Sequence, residues 1–177
     1  FGMRDSLKGL IFSDFREISN FDKKLSNFLN ELDEELCYWR GYEDKDGDIK
    51  IRYPVAGIAC LDGEKIVAIS YYIVPEKWRH RWIYDRLFRP KGLEYGVVVK
   101  KEYHRRGIAN HLNYLKLDLL RELGYNTYWF RVDHDNIPSM RLSEKLIRQV
   151  DGKIWKKTDK QVYFMVELEK RRMDETV

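Results

Sequence analysis

A basic hexapeptide, His104-Arg105-Arg106-Gly107-Ile108-Ala109, stands between an apolar run, Tyr95-Gly96-Val97-Val98-Val99, and a helical pattern of leucines. Three cationic side chains beside a glycine suit an anion that presents several oxygens, a phosphate better than a carboxylate. The surrounding elements supply the rest. A strand that breaks into such a turn and restarts as a helix aims the first unbonded N–H groups of that helix into the turn, at the positive end of its dipole. Gly107 removes the Cβ that would hold an oxygen away, and Ala109 stays small. The expected ligand is the diphosphate of a phosphorylated cofactor.

Downstream, Leu112, Leu115, Leu119 and Leu123 share one helical face, and Gly124 follows in the position where a helix ends left-handed. A second strand reads Thr127-Tyr128-Trp129-Phe130-Arg131-Val132, and Asp135-Asn136-Ile137-Pro138-Ser139 opens another helix running through Glu144-Lys145-Leu146. Asn136 suits a helix N-cap, and Ser139 a polar first-turn position. Taken in this order, residues 93–150 resemble the acetyl-CoA motif of the GNAT acetyltransferase superfamily. Its turn usually reads Arg or Gln, two residues, Gly, one residue, Gly or Ala, so His104 departs from the pattern at the first position.

That resemblance implies an α/β fold with a central, mostly antiparallel, twisted sheet containing a splayed strand pair and flanked by helices. It implies acetyl-CoA as co-substrate, with no metal. Pantetheine would lie along Val97, Val98 and Val99, bonded to their backbone as an extra strand would be. The diphosphate would sit in the 104–109 turn, with Asn136 and Ser139 as further contacts. The reaction implied is direct attack of a primary amine on the thioester in a ternary complex, with a backbone N–H meeting the oxyanion and no enzyme nucleophile.

Two proton transfers then need residues. At pH 7 a lysine amine of pKa ~10.4 is neutral in about one molecule in two thousand, and an α-amine of pKa ~8 in about one in ten, so a base matters most for lysine-like acceptors. Glu94, near the start of the motif strand, is the leading base. Period-two alternation points it away from Tyr95, Val97 and Val99, and Asp133 or a water path are the alternatives. A Tyr in the second helix is the proposed acid in many members of the superfamily. Here that position is Ser143, which either donates a hydrogen bond or packs. The leaving thiol, of pKa ~8.5, demands less help.

The acceptor side is read from Trp78-Arg79-His80-Arg81-Trp82. These residues either cover a sheet edge or wall the acceptor site, where Trp78 bounds the pocket and Arg81 or Arg79 attracts an anionic group. Two further readings stay open: an acyl-CoA-binding module without turnover, and a nucleic-acid-binding domain using the basic aromatic stretch. The mild net charge of +4, from 33 basic and 29 acidic residues, argues against the second. The acceptor is a small-molecule, peptide or protein amine, and monomer and homodimer are both allowed.

With 177 residues, 44% hydrophobic and 35% charged, the chain is long enough for one GNAT-like domain over 1–177 with a genuine core. Phe1 and Gly2, before Met3, are read as extraneous to it. Cys37 and Cys60 show no metal-ligand or disulfide-framework spacing and are expected as buried thiols. No apolar run approaches a membrane span, and the start has no signal-peptide core, which points to the cytoplasm. The first half reads as a strand over 10–18, a helix over 21–36, a solvated acidic loop at 43–48 and a hairpin, 53–61 with 65–74, across Asp62-Gly63. A last hairpin joins Lys153–Trp155 to Val162–Leu168.

Overall fold

Long apolar alternation in the first half of the chain builds one sheet and its covering helix. The computed structural model describes residues 5–32, 42–43, 45–47, 49–50, 55–73, 91–92, 95–125 and 127–168. The chain divides into two compact units, Phe1–Glu76 with Tyr95–Lys116, and Lys77–Glu94 with Leu117–Val177.

In the first unit, β1 (Leu10–Asp14), β4 (Val55–Asp62), β5 (Lys65–Ile73) and β7 (Tyr95–Val99) form an antiparallel sheet in the order β1-β4-β5-β7. A small hairpin, β2 (Tyr42–Glu43) with β3 (Ile49–Lys50), brackets the acidic loop. β1 stops short of the predicted 10–18, because the Asp14 carboxylate accepts the Arg16 N–H at 2.9 Å and turns the chain into a 3-10 turn over Phe15–Glu17. Helix α1 spans Phe21–Asn30, and Glu31 already stands at its C-cap. It therefore ends before Leu32, and residues 33–36 of the predicted helix lie outside the described residues. Its Leu25, Phe28 and Leu29 pack with Phe15, Leu32, Ala59, Leu61, Ile66, Ile69 and Val98 into the core of this unit.

Helix α2 (Ile108–Glu122) begins in the first unit and ends in the second. Its ending follows the expectation at Gly124, which adopts φ +85°, with Tyr125 N–H bonded back to Leu120 O at 3.1 Å. The buried stripe differs from the predicted one. Leu112 and Leu119 are buried, but Leu115 is only half-buried and Leu123 is exposed beyond the last helical residue. The inward face runs through Ile108, Leu112, Asn113, Lys116, Leu117, Leu119 and Leu120, so two of its positions are polar.

In the second unit, β6 (Lys91–Gly92) pairs parallel with β8 (Thr127–Asp133). β10 (Gln161–Glu167) lies antiparallel between β8 and β9 (Lys153–Lys157), giving the order β6-β8-β10-β9. One face carries Tyr128, Phe130, Val132, Val162, Phe164 and Val166, all buried, with Phe130 stacked on Phe164 at 5.1 Å. Helix α3 (Ile137–Gln149) belongs to the same unit, and its Ile147 lies beside Val166 at Gly152.

Candidate functional site

β7 is bonded on one side only among the described residues. Lys100 N–H donates to Val67 O at 2.9 Å, straddling the Val99–Ala68 pair. In an antiparallel ladder that geometry turns the backbone groups of Val98 toward β5 and those of Val97 and Val99 toward the opposite edge. Val98 itself is buried in the core, while Val97 and Val99 are half-buried. The edge therefore offers an N–H and C=O from Val97 and an N–H from Val99. The Val99 carbonyl is already taken, since His104 Nε2 lies 2.8 Å from it.

After β7 a 3-10 turn over Lys101–Tyr103 leads into the basic turn. Arg105 adopts φ +64° and Gly107 φ +81°. His104 before them is extended, so the chain turns sharply at Arg105 and again at Gly107, and for the non-glycine Arg105 the left-handed conformation is held against strain. The first helical bond of α2 runs from His111 N–H to Gly107 O at 3.1 Å, so the amides of Ile108, Ala109 and Asn110 have no carbonyl four residues back within the helix. The turn thus leads directly into a helix start whose first amides lack intrahelical partners, the kind of end at which an anion is held by backbone.

The three basic side chains of the turn are not equivalent. Arg105 is exposed. His104 is folded back on Val99 O. Arg106 donates through Nε to Ser6 O at 2.8 Å, Ser6 Oγ donates to Arg106 O at 3.0 Å, and the guanidinium lies 5.6 Å from the centre of the Tyr103 ring. Tyr103 OH in turn donates to the Asp62 carboxylate at 2.6 Å, a bond that pushes its own pKa up. Lys100 pairs with the Glu31 carboxylate at the end of α1 and holds its pKa below the usual range. Four tethers from distant parts of the chain therefore fix the entry to the turn: Ser6, Asp62, Val67 and Glu31. None is visible in the sequence, because each partner is remote along the chain.

Below the turn, on the sheet side of α2, Ser70 Oγ donates to Asn113 Oδ1 at 3.2 Å, and Lys116 Nζ reaches the same oxygen at 3.4 Å. Lys116 is 0% exposed, and burial drives its pKa well down. Reading the helical stripe from Ile108 as 108, 112, 116 and 119 would have exposed this polar insertion. Cys60 is also fully buried, and burial pushes its thiol up to about 12, so it is no nucleophile at neutral pH.

In the second unit, Asn136 Oδ1 accepts the Ser139 N–H at 3.3 Å and caps α3. Asp133, His134, Asp135 and Asn136 line an open cleft of about 540 Å³ together with Asp159 and Lys160. Asp133 accepts from Gln161 Nε2 at 2.8 Å, and His134 Nε2 lies 2.9 Å from Thr158 O. Ser143 is only 3% exposed, on the same side of α3 as Leu146. Glu94, Trp78, Arg81 and Cys37 lie outside the described residues.

Comparison with known proteins bears on this arrangement. The model of the Acetyltransferase (GNAT) family matches residues 13–146. No curated protein matches the sequence. Among solved structures, the chain is similar to the GNAT domain of S. lividans PAT, with a TM-score of 0.63 at 16% identity over 88% of this chain and 89% of that one. It is also similar to the ribosomal-protein-S18-alanine N-acetyltransferase from Escherichia coli (TM-score 0.55, 14% identity, 95% of this chain and 99% of that one). A third likeness is to yncA, a putative acetyltransferase from Salmonella typhimurium solved with its cofactor acetyl-CoA (TM-score 0.53, 12% identity, 96% and 100%). At these identities the likeness is one of fold.

Proposed function

The chain belongs to the GNAT acetyltransferase family and is an acyltransferase; from that premise we propose that it moves an acetyl group from acetyl-CoA to a primary amine by direct attack in a ternary complex. The observation that carries the reading is the cradle between β7 and α2, where left-handed Arg105 and Gly107 precede an open helix N-terminus. Acetyl-CoA supplies an activated thioester carbonyl.

The chain supplies position and charge. The edge of β7 turned away from β5, with Val97 and the Val99 N–H, takes the pantetheine amides as a neighbouring strand would. Residues 105–110 hold the diphosphate by backbone N–H, and exposed Arg105 adds charge from outside. His104 and Arg106 brace the turn. Asn136 and Ser139 order the start of α3 and are proposed as further cofactor contacts. Glu94 remains the proposed base, with Asp133 or a water path as alternatives; the Gln161 bond to Asp133 holds that carboxylate in place. The burial of Ser143 supports its packing role over proton donation. Trp78 and Arg81 are proposed at the acceptor site, and the protein is proposed to be cytoplasmic. No described helix is long and apolar enough to cross a membrane.

Calorimetric titration with acetyl-CoA tests the reading, comparing the wild type with Gly107→Glu. That substitution puts a side chain and a negative charge into the cradle. Saturable binding by the wild type, abolished in a folded Gly107→Glu, is expected; a folded wild type that does not bind would sink the cofactor assignment. Initial rates with amine acceptors should then give intersecting patterns, whereas parallel lines would demand a covalent acyl-enzyme and overturn direct attack.

A further inference from the structure

The outer face of the second sheet has a composition that acetyl transfer does not use. Cross-strand pairs on β8 and β10 set Met165 against Trp129 and Tyr163 against Arg131, on the side opposite the buried Tyr128-Phe130-Val132 row. β9 continues the face, with Lys153 opposite Met165 and Lys156 opposite Tyr163. Between them the register shifts, so that Trp155 and Lys156 together face one residue of β10. A bulge of this kind re-aims a side chain. Here it brings Trp155 to the same side as Lys156, where its ring meets Tyr163 at 6.1 Å and 84°, and Trp129 at 6.4 Å. Trp129 and Tyr163 lie 6.4 Å apart at 27°, and Lys156 Nζ sits 5.7 Å over the Tyr163 ring.

The face thus holds three clustered aromatic rings with Arg131, Lys153 and Lys156 among them. The carboxylates of its rows stand at the ends, Asp133 against Gln161 and Glu167 against Thr127. Trp155 is 52% exposed. Aromatic rings on a sheet flanked by cations fit a ligand that alternates flat π-systems with negative charges.

We propose that this basic aromatic face binds single-stranded nucleic acid, with bases stacked on Trp155, Trp129 and Tyr163 and phosphates met by Lys153, Lys156 and Arg131. A second copy of the chain is a poorer occupant, because antiparallel self-pairing of β9 about Trp155 sets Lys153 against Lys157, and edge lysines oppose such pairing. The overall charge of +4 is a sum over the whole chain; on this face Arg131, Lys153 and Lys156 stand together while the carboxylates of the same rows lie at the strand ends.

Fluorescence anisotropy of a labelled oligouridine, titrated with the full chain in low salt, tests the proposal. Saturable binding is expected, with a slope of log K against log salt of about −2 for three phosphate contacts. Trp155→Ala should weaken it about tenfold through lost stacking, leaving the salt slope unchanged. Lys156→Glu should weaken it similarly and make the slope shallower by about 0.7. Both positions are exposed, and far-ultraviolet circular dichroism checks that each variant folds. Absence of binding in low salt overturns the proposal. So does binding that Trp155→Ala leaves intact and polyglutamate displaces equally well, since that shows an acidic-peptide surface. Concentration-dependent self-association dissolved by Trp155→Ala would assign the face to a second copy instead. None of these outcomes bears on the acetyl-CoA titration, which reads a different surface.

Discussion

Arg106 has the charge expected of a phosphate ligand, yet its Nε–H is given to the Ser6 carbonyl and its guanidinium lies against the Tyr103 ring. Its neighbour Arg105 faces solvent in a left-handed conformation. Under the proposed function the two arginines divide the work, one bracing the turn and the other bringing charge to it. Substitution separates these roles. Arg106→Lys keeps the charge but loses the planar Nε donor and the ring contact, an interaction of about 1 kcal/mol. Calorimetry should find acetyl-CoA affinity reduced about fivefold in Arg106→Lys and by a similar factor in Arg106→Ala. A lysine variant with wild-type affinity would return Arg106 to the phosphates. The same distinction applies to His104, whose Nε2 lies against Val99 O.

At the scale of elements, the site depends on how closely β4 and β5 approach. A Cβ on Gly57 would fall 2.3 Å from Ser70 O and 2.8 Å from the Phe15 ring. Neither the backbone carbonyl nor the core ring can step aside without opening the ladder that carries β7. Gly57→Ala is therefore expected to destabilise the protein by about 3 kcal/mol or more, read as a lower urea midpoint at unchanged slope. A loss under about 1 kcal/mol would mean that the strands part freely. The hairpin itself was plain from its apolar strands and Asp62-Gly63. The need for glycine at 57 was not, because close approach between strands leaves no local mark in the chain.

For the molecule as a whole, Lys116 links stability to pH. Its folded pKa is driven well below the ordinary 10.5 by burial. Between the depressed folded value and 10.5 the unfolded chain binds more protons than the native one, so stability rises with pH across that window. The slope approaches about 1.4 kcal/mol per pH unit for one proton. Lys116→Met should flatten the rise and leave the protein more stable than wild type at pH 7, as measured by urea unfolding between neutral pH and pH 10. A wild type whose stability does not rise over that range would show that Lys116 stays charged in the fold. Glu31 acts at the other end: its pKa is lowered by Lys100, so its contribution is present at neutral pH and is lost on acidification.

The strand, basic turn, helix, strand and helix of residues 95–149 could be read from the chain, because period-two and period-3.6 patterns, a glycine and a helix cap are local signals. So could the family, which those segments carry in order. Other features required the folded molecule. The tethers from Ser6, Asp62, Val67 and Glu31, the buried Lys116 beside Asn113 and the bulge that puts Trp155 and Lys156 on one face all join residues distant in sequence or depend on strand register. Periodicity tells which residues share a face of one element. Which side chains meet across elements, and which cation is spent on structure rather than left for a ligand, is decided only when register and packing bring the elements together.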